Sequence, residues 1–192
     1  MLFFYIPTFN LIYAVAGLLL LAMTIGLFYD YYFNARAFYR KYVEFAAWWL
    51  VMATSIGGVA TTLLYSEVFG FIPCSLCWLQ RIALYPQALL SIVAYKSKDT
   101  WHYPLYGIWL SVAGLLTAIY QYIYQALPAE LIEEGVMPCL ADGTSGCRDT
   151  VMEVFGFVTF PLLSGVLFLF LIILYMNMRA SARSAQGSEQ GD

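Results

Sequence analysis

The sequence predicts an all-α integral membrane protein, and three observations lead to that fold class. Of the 192 residues, 62% are hydrophobic and only 11% are charged, and the mean hydropathy is +0.73. A water-soluble domain of this length cannot bury so much apolar surface. Five stretches reach the length of about 20 apolar residues that a membrane-spanning helix needs. The net charge of −3 and the lack of a long basic run exclude a nucleic-acid-binding protein and a disordered chain.

The five predicted spans cover residues 9–29, 42–65, 77–95, 103–125 and 155–176. Acidic residues are absent from the middle of each span, and the one basic residue within a span, Arg81, lies near an end of the third. For the first span, a signal peptide is the alternative. A signal peptide has basic residues before its apolar stretch and small residues at its cleavage site. Here the basic residues follow the stretch, so we predict a retained helix.

The basic residues of the short loops predict the orientation of the helices. They lie between the first two spans, between the third and fourth, and after the fifth, at Arg36, Arg40, Lys41, Lys96, Lys98, Arg179 and Arg183. The positive-inside rule assigns these three regions to the cytoplasm. The N-terminus, the turn around Glu67 and the acidic loop after the fourth span are then outside, and the C-terminus is inside. All four cysteines fall on the outer face.

Cys74 and Cys77 form a C-x-x-C pair at the start of the third span, directly after Pro73. Residues three apart share a helix face, and the positive end of the helix dipole stabilises a thiolate there. Arg81 follows Cys77 by four residues, and its side chain leans back toward that sulfur. A charge at this depth is costly and usually functional, although an arginine that snorkels to the membrane surface is the alternative. We therefore predict a redox-active pair with a supporting cation.

The second pair, Cys139 and Cys147, lies in the acidic outer loop, with two turn-forming dipeptides between its members. For this pair alone, a disulfide that only closes the loop is a sufficient explanation. The chain from Gln125 to Cys139 is nevertheless long enough to cross a helix bundle, so the two pairs can meet and exchange disulfides. A zinc site is the other alternative, but the spacing of the second pair is loose and the only histidine, His102, belongs to the opposite face. We expect no metal.

Residues 71–82, which contain the run Pro-Cys-Ser-Leu-Cys-Trp-Leu-Gln-Arg, resemble the signature of the DsbB family and are most similar to its BdbC-like branch. A second similar stretch begins at Met137 and includes both loop cysteines. The resemblance and the composition together predict three parts of the chain. Residues 1–41 form an extra N-terminal transmembrane helix with a cytoplasmic loop, residues 42–178 a four-helix bundle with an external redox loop, and residues 179–192 a disordered cytoplasmic tail.

The resemblance implies a membrane thiol oxidase in the bacterial cytoplasmic membrane. Such an enzyme reoxidises an extracytoplasmic DsbA-like protein of thioredoxin fold and passes electrons to a membrane quinone, either ubiquinone or menaquinone. By this resemblance, Cys77 lies next to the quinone, Cys74 is its disulfide partner, and Arg81 supports the quinone. Cys139 forms the mixed disulfide with the partner protein, and Cys147 is its mate.

Two features depart from the usual family pattern. The first span has no counterpart in the four-helix family, and three roles are open to it: packing on the bundle, shielding the quinone, or binding an additional membrane subunit. Gln121 occupies the position of a family histidine, and its amide can hydrogen-bond a quinone oxygen but cannot release a proton.

Two other functions stay open. One is an accessory subunit of a membrane complex, whose disulfides are purely structural. The other is a quinone reductase resembling vitamin K epoxide reductase, although in that enzyme the loop cysteines precede the membrane pair.

Overall fold

The computed structural model describes residues 5–127, 150 and 152–189. Within these residues, five helices are long and apolar enough to cross a membrane. This confirms the all-α membrane fold and the five predicted spans. The long helices are α1 (Ile6–Phe33), α2 (Ala47–Leu63), α3 (Ser75–Ser97), α4 (His102–Ala126) and α5 (Phe160–Glu189). Short π and 3-10 turns extend α2 in both directions, so that the second span runs over Tyr39–Val68.

The centre of the bundle is α5, whose side chains Phe168, Leu171 and Tyr175 are fully buried. The closest packing is between α4 and α5. A Cβ atom at Gly114 would lie 2.3 Å from the Phe168 ring, and one at Gly107 would lie 2.5 Å from the Tyr175 ring. In a membrane, where lipid is as apolar as the side chains, small residues of this kind let two helices approach closely.

The first helix packs along α5, where a Cβ atom at Gly17 would lie only 2.2 Å from a methyl group of Leu163. Near the N-terminus of α1, the Tyr65 hydroxyl donates a hydrogen bond to the Asn10 side chain. Near its C-terminus, the Asp30 carboxylate accepts hydrogen bonds from the backbone N–H groups that follow. Of the three roles open to this helix, packing on the bundle is therefore observed.

The fifth helix begins later than the sequence predicts. It starts at Phe160 rather than at residue 155, because a two-stranded antiparallel hairpin precedes it. The strands are β1 (Glu153–Val154) and β2 (Val158–Thr159). Phe155 and Gly156 form the turn with φ values of 57° and 75°, which a helix does not accommodate.

The fifth helix also ends later than predicted. The sequence predicts a disordered tail over 179–192, whereas α5 continues to Glu189. Arg36 explains part of this difference, because its guanidinium donates hydrogen bonds to the hydroxyls of Ser181 and Ser184, each at 3.3 Å. A composition-based expectation of disorder does not include such a contact from a distant loop.

The bundle has two chemically different ends. Arg36 contacts Ser181, and the Arg179 guanidinium lies 5.4 Å from the centre of the Trp101 ring, so the three basic regions meet at one end. Cys74 and Gln121 meet at the other end, which we call the cysteine end. The basic regions therefore share one side of the bundle, while the compartment that each end faces stays a prediction.

Candidate redox site at the start of α3

The C-x-x-C pair sits where the chain turns into α3. Cys74 is the residue before the first helical turn, with extended backbone angles, and its sulfur accepts a hydrogen bond from the Cys77 backbone N–H at 3.3 Å. The Sγ atoms of Cys74 and Cys77 lie 2.8 Å apart, and both residues are free cysteines. The spacing of three residues thus brings the two sulfurs together by local helix geometry alone.

The two thiols differ in their surroundings. Cys74 is buried and Cys77 is partly buried. The hydrogen bond with the Cys77 sulfur, followed by burial, raises the pKa of the Cys74 thiol well above its usual range.

Gln121 reaches the pair from α4. Its side-chain Nε2 lies 3.4 Å from the Cys74 sulfur and 3.6 Å from the Cys77 sulfur. Its Oε1 accepts a hydrogen bond from Gln80 Nε2 at 2.8 Å, which orients the amide so that its N–H groups are directed at the sulfurs. An N–H group at this distance stabilises negative charge on sulfur.

Arg81 is 7% exposed. Its Nη2 donates a hydrogen bond to the Thr62 backbone carbonyl at 2.8 Å, and its guanidinium carbon lies 5.3 Å from the centre of the Trp78 ring. In the part of the chain that the structure describes, no carboxylate forms an ion pair with Arg81. A buried charge is stable only with polar partners, so the remaining N–H groups of Arg81 favour a polar ligand beside it.

A cavity of about 1200 Å³ lies beneath the cysteine pair. Cys77, Arg81 and Gln121 line it together with residues of all five long helices and of the hairpin. Thr159, from β2, also lines the cavity, and its hydroxyl is buried without a hydrogen-bond partner among residues 5–127, 150 and 152–189. Most of the other lining residues are apolar, so the cavity combines apolar walls with a few polar groups, as ligand sites do.

The structure brings together Cys74, Cys77, Arg81 and Gln121, which are four of the six predicted site residues. The other two, Cys139 and Cys147, lie outside the described residues, so their contact with the first pair stays a prediction.

Sequence reasoning missed the two residues that hold the others in place. Gln80 orients Gln121, and Thr62 binds Arg81 through its carbonyl oxygen. Gln80 follows Cys77 by three residues, and that helical spacing is a signal that could have identified it. A backbone carbonyl of another helix gives no sequence signal.

Comparison with known proteins assigns the family. The family described as "Disulfide bond formation protein DsbB" matches residues 44–178, a range that includes Cys74, Cys77, Arg81 and Gln121. The chain belongs to the DsbB family. It is therefore a multi-pass membrane protein of disulfide bond formation. The match begins at Glu44, so α1 precedes the region shared with the family.

Individual relatives agree with this membership. A "Probable disulfide formation protein" from Oceanobacillus iheyensis is 35% identical over 137 residues, which cover 71% of this chain and 91% of the relative. The "Disulfide bond formation protein C" of Bacillus subtilis is 31% identical over 140 residues, covering 73% of this chain and 94% of the relative. No solved structure matches the chain.

Proposed function

We propose that the chain is a thiol:quinone oxidoreductase that reoxidises an extracytoplasmic DsbA-like protein of thioredoxin fold. In the overall reaction, a partner dithiol and a quinone become a partner disulfide and a quinol. The observation that carries the proposal is that Cys77, Arg81 and Gln121 line one largely apolar cavity. A structural disulfide needs neither a buried guanidinium nor a cavity beside it.

The thiol side of the reaction is an exchange between two cysteine pairs. A thiolate of the partner attacks the Cys139–Cys147 disulfide at Cys139, which forms a mixed disulfide and frees the Cys147 thiol. The partner's second thiol then attacks this mixed disulfide, so that the partner leaves with a disulfide and Cys139 is left reduced. The reduced loop pair passes both electrons to the Cys74–Cys77 disulfide by the same chemistry. Supporting this order, Thr150 lines the cavity, and Cys147 precedes it by only three residues in the sequence.

Cys77 is the thiol that delivers the electrons. Cys74 keeps its proton because the hydrogen bond with Cys77 and burial raise its pKa, so the negative charge of the reduced pair belongs on Cys77. The Gln121 amide lies 3.6 Å from that sulfur and stabilises the charge. Because an amide does not titrate, Gln121 orients and stabilises the pair but does not supply protons.

The cavity fits a quinone. When bound, a quinone accepts two electrons and two protons and becomes a quinol. Its carbonyl oxygens need hydrogen-bond donors, and the cavity provides the guanidinium of Arg81, which is mostly buried and lines it. The apolar walls suit the ring, and Arg81 stabilises developing negative charge because the surrounding dielectric is low.

The proposal includes the location. Five apolar helices cross the bacterial cytoplasmic membrane, with the cysteine end outside, the N-terminus outside and the C-terminus in the cytoplasm. At the opposite end the three basic regions meet, since Arg36 contacts Ser181 and Arg179 contacts Trp101. This clustering of basic regions supports the proposed orientation.

Quinone absorbance tests the function directly. Purified protein is mixed with reduced DsbA-like protein and with either ubiquinone or menaquinone, and the loss of quinone absorbance is followed. We expect turnover with at least one quinone. When a Cys147→Ser variant is mixed with the oxidised partner instead, the free Cys139 thiolate should attack the partner's disulfide and a mixed disulfide should accumulate, because no second loop thiol is present to release the partner. A Cys139→Ser variant is the matched control and should trap no partner.

Two results would contradict the proposal. Absence of turnover with both quinones would indicate an accessory subunit with structural disulfides. A Cys147→Ser variant that traps no partner while it retains full turnover would overturn the assignment of the loop cysteines.

A further inference from the structure

The cavity is larger than the redox chemistry requires. Ligand sites for small organic molecules usually measure about 300–1,000 Å³, and this one measures about 1200 Å³. Its redox and charged groups, Cys77 and Arg81, lie near the cysteine end together with Gln121. From there the lining continues along the helices to Leu20 of α1 and Ala53 of α2, which are apolar. The cavity therefore has an apolar extension that the redox site leaves unexplained.

This extension opens sideways between α1 and α2. Ala16 of α1 and Ala53, Gly57 and Ala60 of α2 line the cavity, and all of them are also exposed on the surface of the bundle. Their small side chains leave a groove between the two helices, which we call the α1–α2 groove. In a membrane-spanning bundle, a surface at this position faces the hydrocarbon of the bilayer.

The packing of α1 explains why the groove stays open. The helix packs along α5 rather than along α2. It is attached at the cysteine end by the hydrogen bond of Asn10 with Tyr65 and by contact between the rings of Tyr13 and Tyr65, whose centres lie 6.0 Å apart. The middle of α1 therefore forms an outer wall of the cavity, held at a distance from α2.

We propose that the α1–α2 groove binds the isoprenoid tail of the quinone and is the opening through which the quinone enters from the bilayer. The inference rests on the proposed function. A tailed quinone whose ring lies beside Cys77 needs an apolar path from the ring to the lipid, and the groove is continuous with the cavity that holds Cys77 and Arg81. The region shared with the family thus supplies the redox groups, and α1, which precedes that region, supplies one wall of the tail site.

Gly57 offers a sharp test because a side chain there meets no obstacle. A Cβ atom at Gly57 has no other atom within 4 Å, so a Gly57→Leu variant fills the groove without a clash at the backbone. Gly26 is a matched control, since a Cβ atom there also has no atom within 4 Å, and it is not among the residues that line the cavity.

The experiment compares quinones with and without a tail. Menaquinone is paired with dimethylnaphthoquinone, in which a methyl group replaces the tail, and ubiquinone with its methyl-capped analogue. In Gly57→Leu we expect the KM for the tailed quinone to rise about tenfold or more, as the loss of contact with a few methylene groups predicts. The KM for the tail-free quinone and both KM values of Gly26→Leu should stay within about twofold of wild type.

The outcomes separate this inference from the proposed function. A wild-type protein that reduces no quinone contradicts the function itself. A wild-type protein that reduces both quinones, with Gly57→Leu affecting both equally or neither, overturns the tail site alone and indicates that a lipid chain covers the groove. If Gly57→Leu does not fold, Ala16→Leu narrows the groove from the opposite wall, and its KM values decide the question in the same way.

Discussion

The same three helices, α3, α4 and α5, build two halves of the bundle, one with a filled interior and one beside an open cavity. In the half toward the basic end, Gln87 Oε1 accepts hydrogen bonds from the hydroxyls of Ser111 and Tyr175, each at 3.0 Å, and Tyr175 also bonds Tyr103 at 2.9 Å. We call this the packed half. In the half toward the cysteine end, the cavity half, the Arg81 guanidinium donates a hydrogen bond to the Thr62 carbonyl and lines the open volume.

The two halves also differ in how tightly their side chains are packed. In the packed half, the Phe168 ring fills the space above Gly114, whereas in the cavity half no atom lies within 4 Å of a Cβ position at Gly57. Polar groups that satisfy one another in a filled interior stabilise the helix contacts. Polar groups left with spare donors beside an open volume are available to a ligand. The difference teaches that burial alone does not identify a functional polar residue.

The largest effect should come from the charged residue of the cavity half. Because Arg81 is the buried cation nearest the proposed quinone ring, we expect Arg81→Ala to lower kcat/KM for quinone about hundredfold, the scale of removing one preorganised donor. Disulfide exchange with the partner should be unchanged. Tyr175→Phe, which removes one hydroxyl of the packed half, should retain wild-type kinetics. Titrations with quinone at a saturating concentration of the partner give kcat/KM for both variants. An unchanged KM for quinone in Arg81→Ala would leave Arg81 as a membrane-surface anchor.

A pair of identical substitutions compares the space in the two halves. Gly114→Ala places a methyl group 2.3 Å from the Phe168 ring, and we expect it to destabilise the protein by about 1–3 kcal/mol through overpacking. Gly57→Ala meets no atom within 4 Å and should be neutral or stabilising by up to about 1 kcal/mol, because alanine favours helix. Unfolding in detergent measures both. Equal changes of the same sign would show that the halves do not differ in packing.

The smallest effect should distinguish two buried glutamines. Gln87→Leu leaves two hydroxyls without their acceptor, and at about 0.6 kcal/mol per hydrogen bond in a membrane it should cost about 1 kcal/mol. Gln121→Leu should change stability less but slow alkylation of the reduced cysteine pair by about threefold, because an N–H donor near the sulfurs is lost. Detergent unfolding and iodoacetamide kinetics test the contrast. An alkylation rate lowered equally in both variants would remove the special role of Gln121.

The local features of the fold were accessible from the sequence. Apolar stretches of spanning length predicted all five helices, and the spacing of Cys74 and Cys77 predicted adjacent sulfurs, since both depend only on residues near one another in the chain. The sequence does not predict the start of the fifth helix correctly, because Phe155 and Gly156 look apolar and continuous with it, whereas with positive φ values they form the turn of a hairpin. The end of that helix depended on Arg36, a residue of a distant loop.

The contacts within the site cannot be predicted from residues that are near one another in the sequence. Gln121 was selected through resemblance to the family, but the sequence did not predict that its amide would face both sulfurs or that Gln80 would orient it. The Thr62 carbonyl that binds Arg81 was not predictable either.

By itself, the sequence determined that this chain has five helices of membrane-spanning length, that Cys74 and Cys77 lie together at the start of the third, and the family to which the chain belongs. Hydrophobic length and helical spacing are properties of a single segment, so they can be read directly. Only the tertiary structure decided that α1 lies on α5 and borders the cavity with α2, and that Arg81 and Gln121 converge there. These relations depend on how each helix is rotated and placed against its neighbours, which is set by the packing of all the side chains together.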